Sequence, residues 1–154
     1  MTWSLLIANG DLSFNGASMD IVQGGDKLVQ DLACCILEPM GTDGLHPTFG
    51  STIGGGINAD GSYNAGVIGQ PNDAVAATYV QGEVTRIVAQ YQAQQQQRFQ
   101  ADVAVYGKGT ITADEALLSV GGISAVGAQT TLQVSAQLET GTGNVPISLP
   151  ISSS

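Results

Sequence analysis

Basic side chains are scarce in this chain of 154 residues: Lys27, Arg86, Arg98 and Lys108 stand against thirteen acidic residues, for a formal charge of -9. A nucleic-acid binder clusters Lys and Arg to displace phosphate counterions, and four dispersed cations exclude that footprint. The same scarcity counts against an anionic membrane surface. Long apolar runs are absent too, and nothing approaches the ~20 residues of a membrane span. Trp3-Ser4-Leu5-Leu6-Ile7-Ala8 is brief and follows no basic run, so no signal peptide is expected, and the chain reads as one made and assembled in a cytoplasm. Its only cysteines, Cys34 and Cys35, are neighbours, which excludes an ordinary internal disulfide and leaves them as small buried hydrophobes. With one histidine and no third thiol, no zinc constellation of usual spacing exists. No metal or other cofactor is expected.

What is present is material for a core. Hydrophobic residues make up 43% and charged ones 11%, which does not match disorder. The 21 glycines imply many turns. One domain over residues 1–154 is expected at this length.

The order of patterns gives the fold class. Asp11-Leu12-Ser13-Phe14 and Met19-Asp20-Ile21-Val22 look like a small amino-terminal hairpin. Leu28, Leu32, Cys35 and Ile36 recur at helical spacing from Lys27 to Glu38, with Asp26 as the expected cap and Pro39 and Gly41 as the stop. Residues 40–70 are rich in Gly, Asn, Asp and Thr and are expected to be irregular, with a short element or a partner to hug. Pro71-Asn72-Asp73 opens a second helix carrying Val80, Val84, Ile87, Val88 and Tyr91, expected to end near Gln97 with Gln94 to Gln97 as solvated last turns.

Beyond Arg98 the spacing of Phe99, Ala101, Val103 and Val105 predicts a strand. Leu117 to Val126 form a second, and Leu132, Val134, Ala136 and Leu138 a third. Val145 to Ile151 alternate again with two prolines, so an extended tail over 145–154 belongs at a sheet edge or along another chain. The class is α+β, an antiparallel sheet with two main helices packed on it.

Catalytic signals are thin. Glu38, Asp43, Asp60, Glu83, Asp102, Asp114 and Glu115 supply carboxylates, but glycoside hydrolysis needs a pair at a defined separation, which spacing along the chain does not show. His46 with Ser51 or Cys35 lacks a nucleophile elbow, and a turn histidine bonded to backbone is the simpler reading. Gly54-Gly55-Gly56 lacks the lysine and serine of a phosphate loop, so backbone flexibility is the better account.

Three segments together carry a resemblance: Gly24-Gly25-Asp26-Lys27-Leu28-Val29-Gln30-Asp31-Leu32, Leu37-Glu38-Pro39-Met40-Gly41 and His46-Pro47-Thr48-Phe49-Gly50-Ser51. Over about residues 19–53 the chain resembles the baseplate wedge or sheath-initiator family of contractile-tailed phages, whose relatives occur in type VI secretion and other contractile injection systems. The later long helix and terminal strands agree with it only in order and length. The family's Glu-Pro-Arg motif after the long helix is replaced here by Gln94 to Gln97, with Arg98 left as its basic end.

The resemblance implies a non-enzymatic adaptor in the virion tail baseplate, in multiple copies around the tail axis. Its implied partners are other wedge proteins, the tail sheath protein, and tube or hub proteins. Its implied mechanism is an exposed sheet edge that templates the first sheath layer by strand addition. Gln30, Asp31, Arg98, Leu132, Val134, Val145, Ile147 and Leu149 are the expected partner-binding residues, with Gln30 either facing a wedge protein or bracing backbone. Removal of Val145 to Ser154 is expected to leave a folded chain that fails to nucleate sheath. The alternatives are a peptidoglycan-degrading, lysozyme-like tail enzyme, for which Glu38 is the residue to test, and a soluble carbohydrate- or protein-binding module.

Overall fold

A computed structural model describes residues 2–58, 60–68, 73–128 and 131–152. The amino-terminal segment is not one hairpin but six short strands: β1 (Trp3–Leu5), β2 (Ile7–Ala8), β3 (Asp11–Leu12), β4 (Phe14–Asn15), β5 (Ser18–Met19) and β6 (Ile21–Gln23). They pair antiparallel as β1 with β6, β2 with β3 and β4 with β5. The three ladders meet at Leu6, Ser13 and Asp20, whose backbones close a ring: Ser13 N–H donates to Leu6 O (2.9 Å), Leu6 N–H to Asp20 O (2.9 Å) and Asp20 N–H to Ser13 O (3.0 Å). Each donor at the junction thereby finds an acceptor without water.

Helix α1 (Gly24–Leu37) follows directly and buries Leu28, Leu32, Cys35 and Ile36. Asp26 lies in its first turn and is not its N-cap; that position belongs to Gln23, which makes no side-chain cap bond. The Asp114 carboxylate lies against this end of α1 from across the fold and leaves no room for a Cβ on Gly24. Strand β7 (Pro39–Met40) then runs parallel to β8 (Ser51–Ile57), and β8 pairs antiparallel with β9 (Tyr63–Asn64). The triple glycine is therefore part of a strand in a crowded sheet, not a flexible loop. Gly66 (φ +74°) shows the crowding, because a Cβ there would fall 2.5 Å from both Gly55 N and Ile53 O.

Helix α2 (Asp73–Tyr106) is the dominant element, 34 residues long. Pro71 and Asn72, expected at its start, lie outside the described residues. Its end corrects the expectation: Phe99, Ala101, Val103 and Val105 are helical, not a strand. Alternation of apolar residues carries little weight where Gln, Ala and Arg favour helix and nothing interrupts the i→i−4 ladder. Gly107 (φ +72°) is the first residue suited to a left-handed stop, and its N–H closes on Val103 O at 2.9 Å.

The final sheet is β10 (Leu117–Ala128), β11 (Thr131–Thr140) and β12 (Gly143–Ser152), antiparallel in that order. On β11, Leu132, Val134, Ala136 and Leu138 point inward. Burying Leu132, Val134 and Leu138 contributes roughly 1.5–3 kcal/mol each. β10 shifts register between Leu117 and Ser119 and between Gly121 and Ser124. These bulges turn an apolar spacing of three, three and two into one inward face of Leu117, Val120, Ile123 and Ala125.

The segment from Val145 lies at a sheet edge, the first of the two places expected for it. It pairs with β11 from Thr140↔Gly143 to Thr131↔Ser152 and buries Ile147 and Ile151, so cutting it away removes one face of the core and the chain cannot be expected to stay folded. The core joins that inner face to Leu28, Leu32 and Ile36 of α1, Ile53 of β8, and Val80, Val84, Ile87 and Val88 of α2. The chain is an α+β protein with its two helices against antiparallel sheet.

Candidate functional site

Strand addition needs an edge with unpaired N–H and C=O groups. Central β11 has none to offer: both its sides are paired, and Leu132 and Val134 are core residues, which corrects their expected role in partner binding. On β12, Ile147 is buried and Val145 and Leu149 pack half-buried against the core, so all three face inward. Pro146 and Pro150 oppose Gln137 and Gln133. Without an N–H to give β11, both prolines sit where the nitrogen faces outward. The outer edge of β12 therefore keeps carbonyls but loses donors at two alternate positions, which blunts it against an added strand.

The outer edge of β10 is partly occupied by glutamines of α2. Gln92 Nε2 donates to Leu117 O (3.2 Å) and Leu118 O (2.6 Å), and Gln81 Nε2 to Ile123 O (3.1 Å). Gln95 donates to Glu115 O (2.8 Å) and accepts from Leu117 N–H (3.0 Å). Of the four glutamines expected to be solvated, Gln94, Gln96 and Gln97 are exposed, though in mid-helix, and only Gln95 is a brace. Past Ile123, the edge from Ser124 to Gly127 carries no such cap among the described residues.

Gln30 resolves to its bracing role. Its Nε2 donates to Leu5 O (2.8 Å) and its Oε1 accepts from Ile7 N–H (2.9 Å), so one amide serves the backbone on both sides of the three-way junction. Asp31 is likewise engaged internally: Oδ2 accepts from Lys27 Nζ (2.5 Å) and from the Tyr91 hydroxyl (2.8 Å). Burial first, then the negative charge of Asp31, pushes the Tyr91 phenol up, so it remains a donor. Lys27 also lies 3.3 Å from Glu115 Oε1, which takes the Thr2 hydroxyl as well, while Glu115 Oε2 is buried without a partner among the described residues. A cavity of about 240 Å³ beside this cluster is lined also by Arg98. Arg98 is exposed and makes no ion pair among the described residues, so of Gln30, Asp31 and Arg98 only Arg98 is free to meet a partner.

The hydrolytic candidates are dispersed. Glu38 is exposed and accepts from the Thr42 hydroxyl (2.7 Å). Glu83 is held by Thr52 and Arg86, and Asp102 by Thr110. His46 bonds the Asp43 side chain (2.9 Å), not backbone as expected, and this contact holds the Asp43 carboxyl below the usual range. Ser51 is buried and donates to Ile36 O (2.6 Å). Burial, aided by the charge of Asp31, pushes the Cys35 thiol up to about 12, which suits a packed hydrophobe and not a nucleophile. Among the described residues no group of three metal-ligating side chains occurs, and no helix is long and apolar enough to cross a membrane.

Two surfaces escaped the sequence reading. One is an apolar groove of about 850 Å³ between α1 and the amino-terminal strands, walled by Ile7, Ile21, Val29, Ala33 and Leu37. The other is the end of α2, where Phe99, Val103 and Tyr106 are exposed. Their spacing of four and three is itself helical, a signal masked by the accidental alternation with Ala101 and Val105. Comparison with protein-family models, with curated proteins and with solved structures returns no match to this chain.

Proposed function

We propose that this chain is a non-enzymatic structural subunit of a contractile-tail baseplate, or of a related contractile injection system. In this role it links the wedge to the first sheath ring in several copies around the tail axis, meeting wedge, sheath and tube or hub proteins in a virion assembled in the host cytoplasm. The observation that carries the reading is a division of labour in the surface. Polar side chains of the kinds that work chemistry brace the fold internally, while two sizeable apolar faces stay uncovered, as on proteins that live in assemblies. The motifs over residues 19–53 direct that general role toward a contractile tail.

Templating by strand addition, in this reading, runs along β10 beyond Ile123, since β12 is blunted by its prolines. So short a ladder holds weakly alone and gains strength from repetition around a ring. Tails assembled without this chain are expected to show bare tubes by electron microscopy, and adding the purified chain back is expected to restore sheath. Normally sheathed tails in its absence would overturn the proposal. Turnover of purified cell wall by the folded chain, abolished in Glu38→Gln, would instead establish the hydrolase.

A further inference from the structure

From Gln96 to Tyr106, α2 runs clear of the core: every residue except Asp102 is exposed. This stretch is ~15 Å of helix at 1.5 Å per residue. Phe99, Val103 and Tyr106 form an apolar stripe of the kind an amphipathic helix lays into a groove, with exposures of 49%, 41% and 67%. The groove between α1 and the amino-terminal strands is the corresponding concave surface. It lies on the side of α1 turned away from the core, and Ile7, Ile21 and Leu37 along it are 43%, 55% and 48% exposed.

Charge selects the occupant. A chain of net charge -9 repels its own copies unless a basic spot meets an acidic one. Lys27 and Arg86 are paired internally, whereas Arg98 and Lys108 make no ion pair among the described residues, and both flank the apolar stripe at the end of α2. Asp102, the acid nearest them in sequence, is occupied by the Thr110 hydroxyl and N–H. On the other side, residues 1–26 carry Asp11, Asp20 and Asp26 and no Lys or Arg, and Asp26 lines the groove. Asp20 takes the Ser13 hydroxyl, which leaves exposed Asp26 as the acid on the groove. The free cations and Asp26 thus lie on different parts of one chain, each beside an uncovered apolar face.

We propose that the end of α2 from one copy seats in the groove between α1 and the amino-terminal strands of the next, with Phe99, Val103 and Tyr106 entering it and the basic pair Arg98 and Lys108 turned toward Asp26 on its rim. Such a contact is heterologous, so successive copies close into a ring or continue as a filament. Purified full-length chain tests this without any tail component, so its outcome is separate from that of the baseplate reading.

Sedimentation velocity across a wide concentration range is expected to show association at low salt that weakens at high salt. Val103→Asp with Tyr106→Asp removes the inserting face, and Leu37→Asp spoils the groove, so each variant alone is expected to be monomeric. Mixed together, they retain one good groove and one good helix end, and are expected to form a one-to-one dimer that grows no further. Should Leu37→Asp fail to fold by circular dichroism, the exposed Asp26→Lys takes its place, with association weakened about tenfold or more. A wild-type chain that stays monomeric at low salt, or a mixture of the two folded variants that stays monomeric, overturns the proposal.

Discussion

Arg86→Met should cost this protein much of its neutral-pH advantage in stability and little of its acid-pH stability. Arg86 Nε donates to Glu83 Oε2 (2.8 Å), and Nη2 donates to both Glu83 Oε1 (3.0 Å) and Gly50 O (2.7 Å). Glu83 Oε1 also accepts from Thr52 N–H (2.8 Å) and the Thr52 hydroxyl (3.0 Å), so the ion pair ties β8 to α2. The Glu83 side chain is 10% exposed and that of Arg86 36%. Stripping one partner from a fully buried pair costs ~3–5 kcal/mol. Solvent at Arg86 and the two donors that Glu83 keeps bring the expectation down to about 2 kcal/mol. For a chain of this size that is a fall of roughly 4–8 °C in Tm.

The pH dependence distinguishes this cause from lost packing. Burial raises the Glu83 carboxyl, but hydrogen bonds from Arg86 and Thr52 outweigh it and hold the group below its usual value. A carboxyl depressed in the folded state stabilises fully above its unfolded pKa of ~4.3, and that contribution is lost as pH falls through the folded value. The gap between wild type and Arg86→Met, read by urea unfolding and far-ultraviolet circular dichroism, should therefore be widest near neutrality and narrow below about pH 4. A gap that is the same at both ends, or under about 0.5 kcal/mol at neutrality, would refute the electrostatic reasoning.

Other substitutions probe separate parts of the fold. Gly66→Ala forces a side chain into a left-handed backbone position within 2.5 Å of Gly55 N and Ile53 O, and should cost upwards of ~2 kcal/mol in denaturant titration. Gln30→Leu removes the amide that serves Leu5 O and Ile7 N–H. Hydrogen exchange at Ile7 should accelerate while amides of β11 stay protected, and unchanged exchange at Ile7 would show that the brace is dispensable. Native alkylation at mildly alkaline pH should modify half-exposed Cys34 well before Cys35, since burial holds the Cys35 thiol protonated up to about 12. Equal rates read by mass spectrometry would contradict that packing.

Some of this protein is determined locally, and the sequence discloses it. Leu28, Leu32, Cys35 and Ile36 specify α1 through spacing alone, the alternation from Leu132 to Leu138 specifies β11, and two prolines confine the last strand to an edge. Each rests on steric or periodic rules that operate within a few residues. The helix from Arg98 to Tyr106 was also locally determined, but by the absence of a breaker before Gly107, and the apolar alternation there pointed the other way.

Only the tertiary structure decided the rest, because each case depends on a meeting of residues far apart in the chain. The Asp114 carboxylate packs against the start of α1, and Gln30 completes a backbone junction instead of facing outward. Glutamines of α2 occupy part of the β10 edge. Leu149 and Val145 turn inward because pairing with β11 fixes the register of β12, and the side-chain period of two leaves them no other face. A polar side chain announces that it needs a hydrogen-bond partner; which partner it finds, and hence whether it remains for another protein, is settled by the packing of the whole chain.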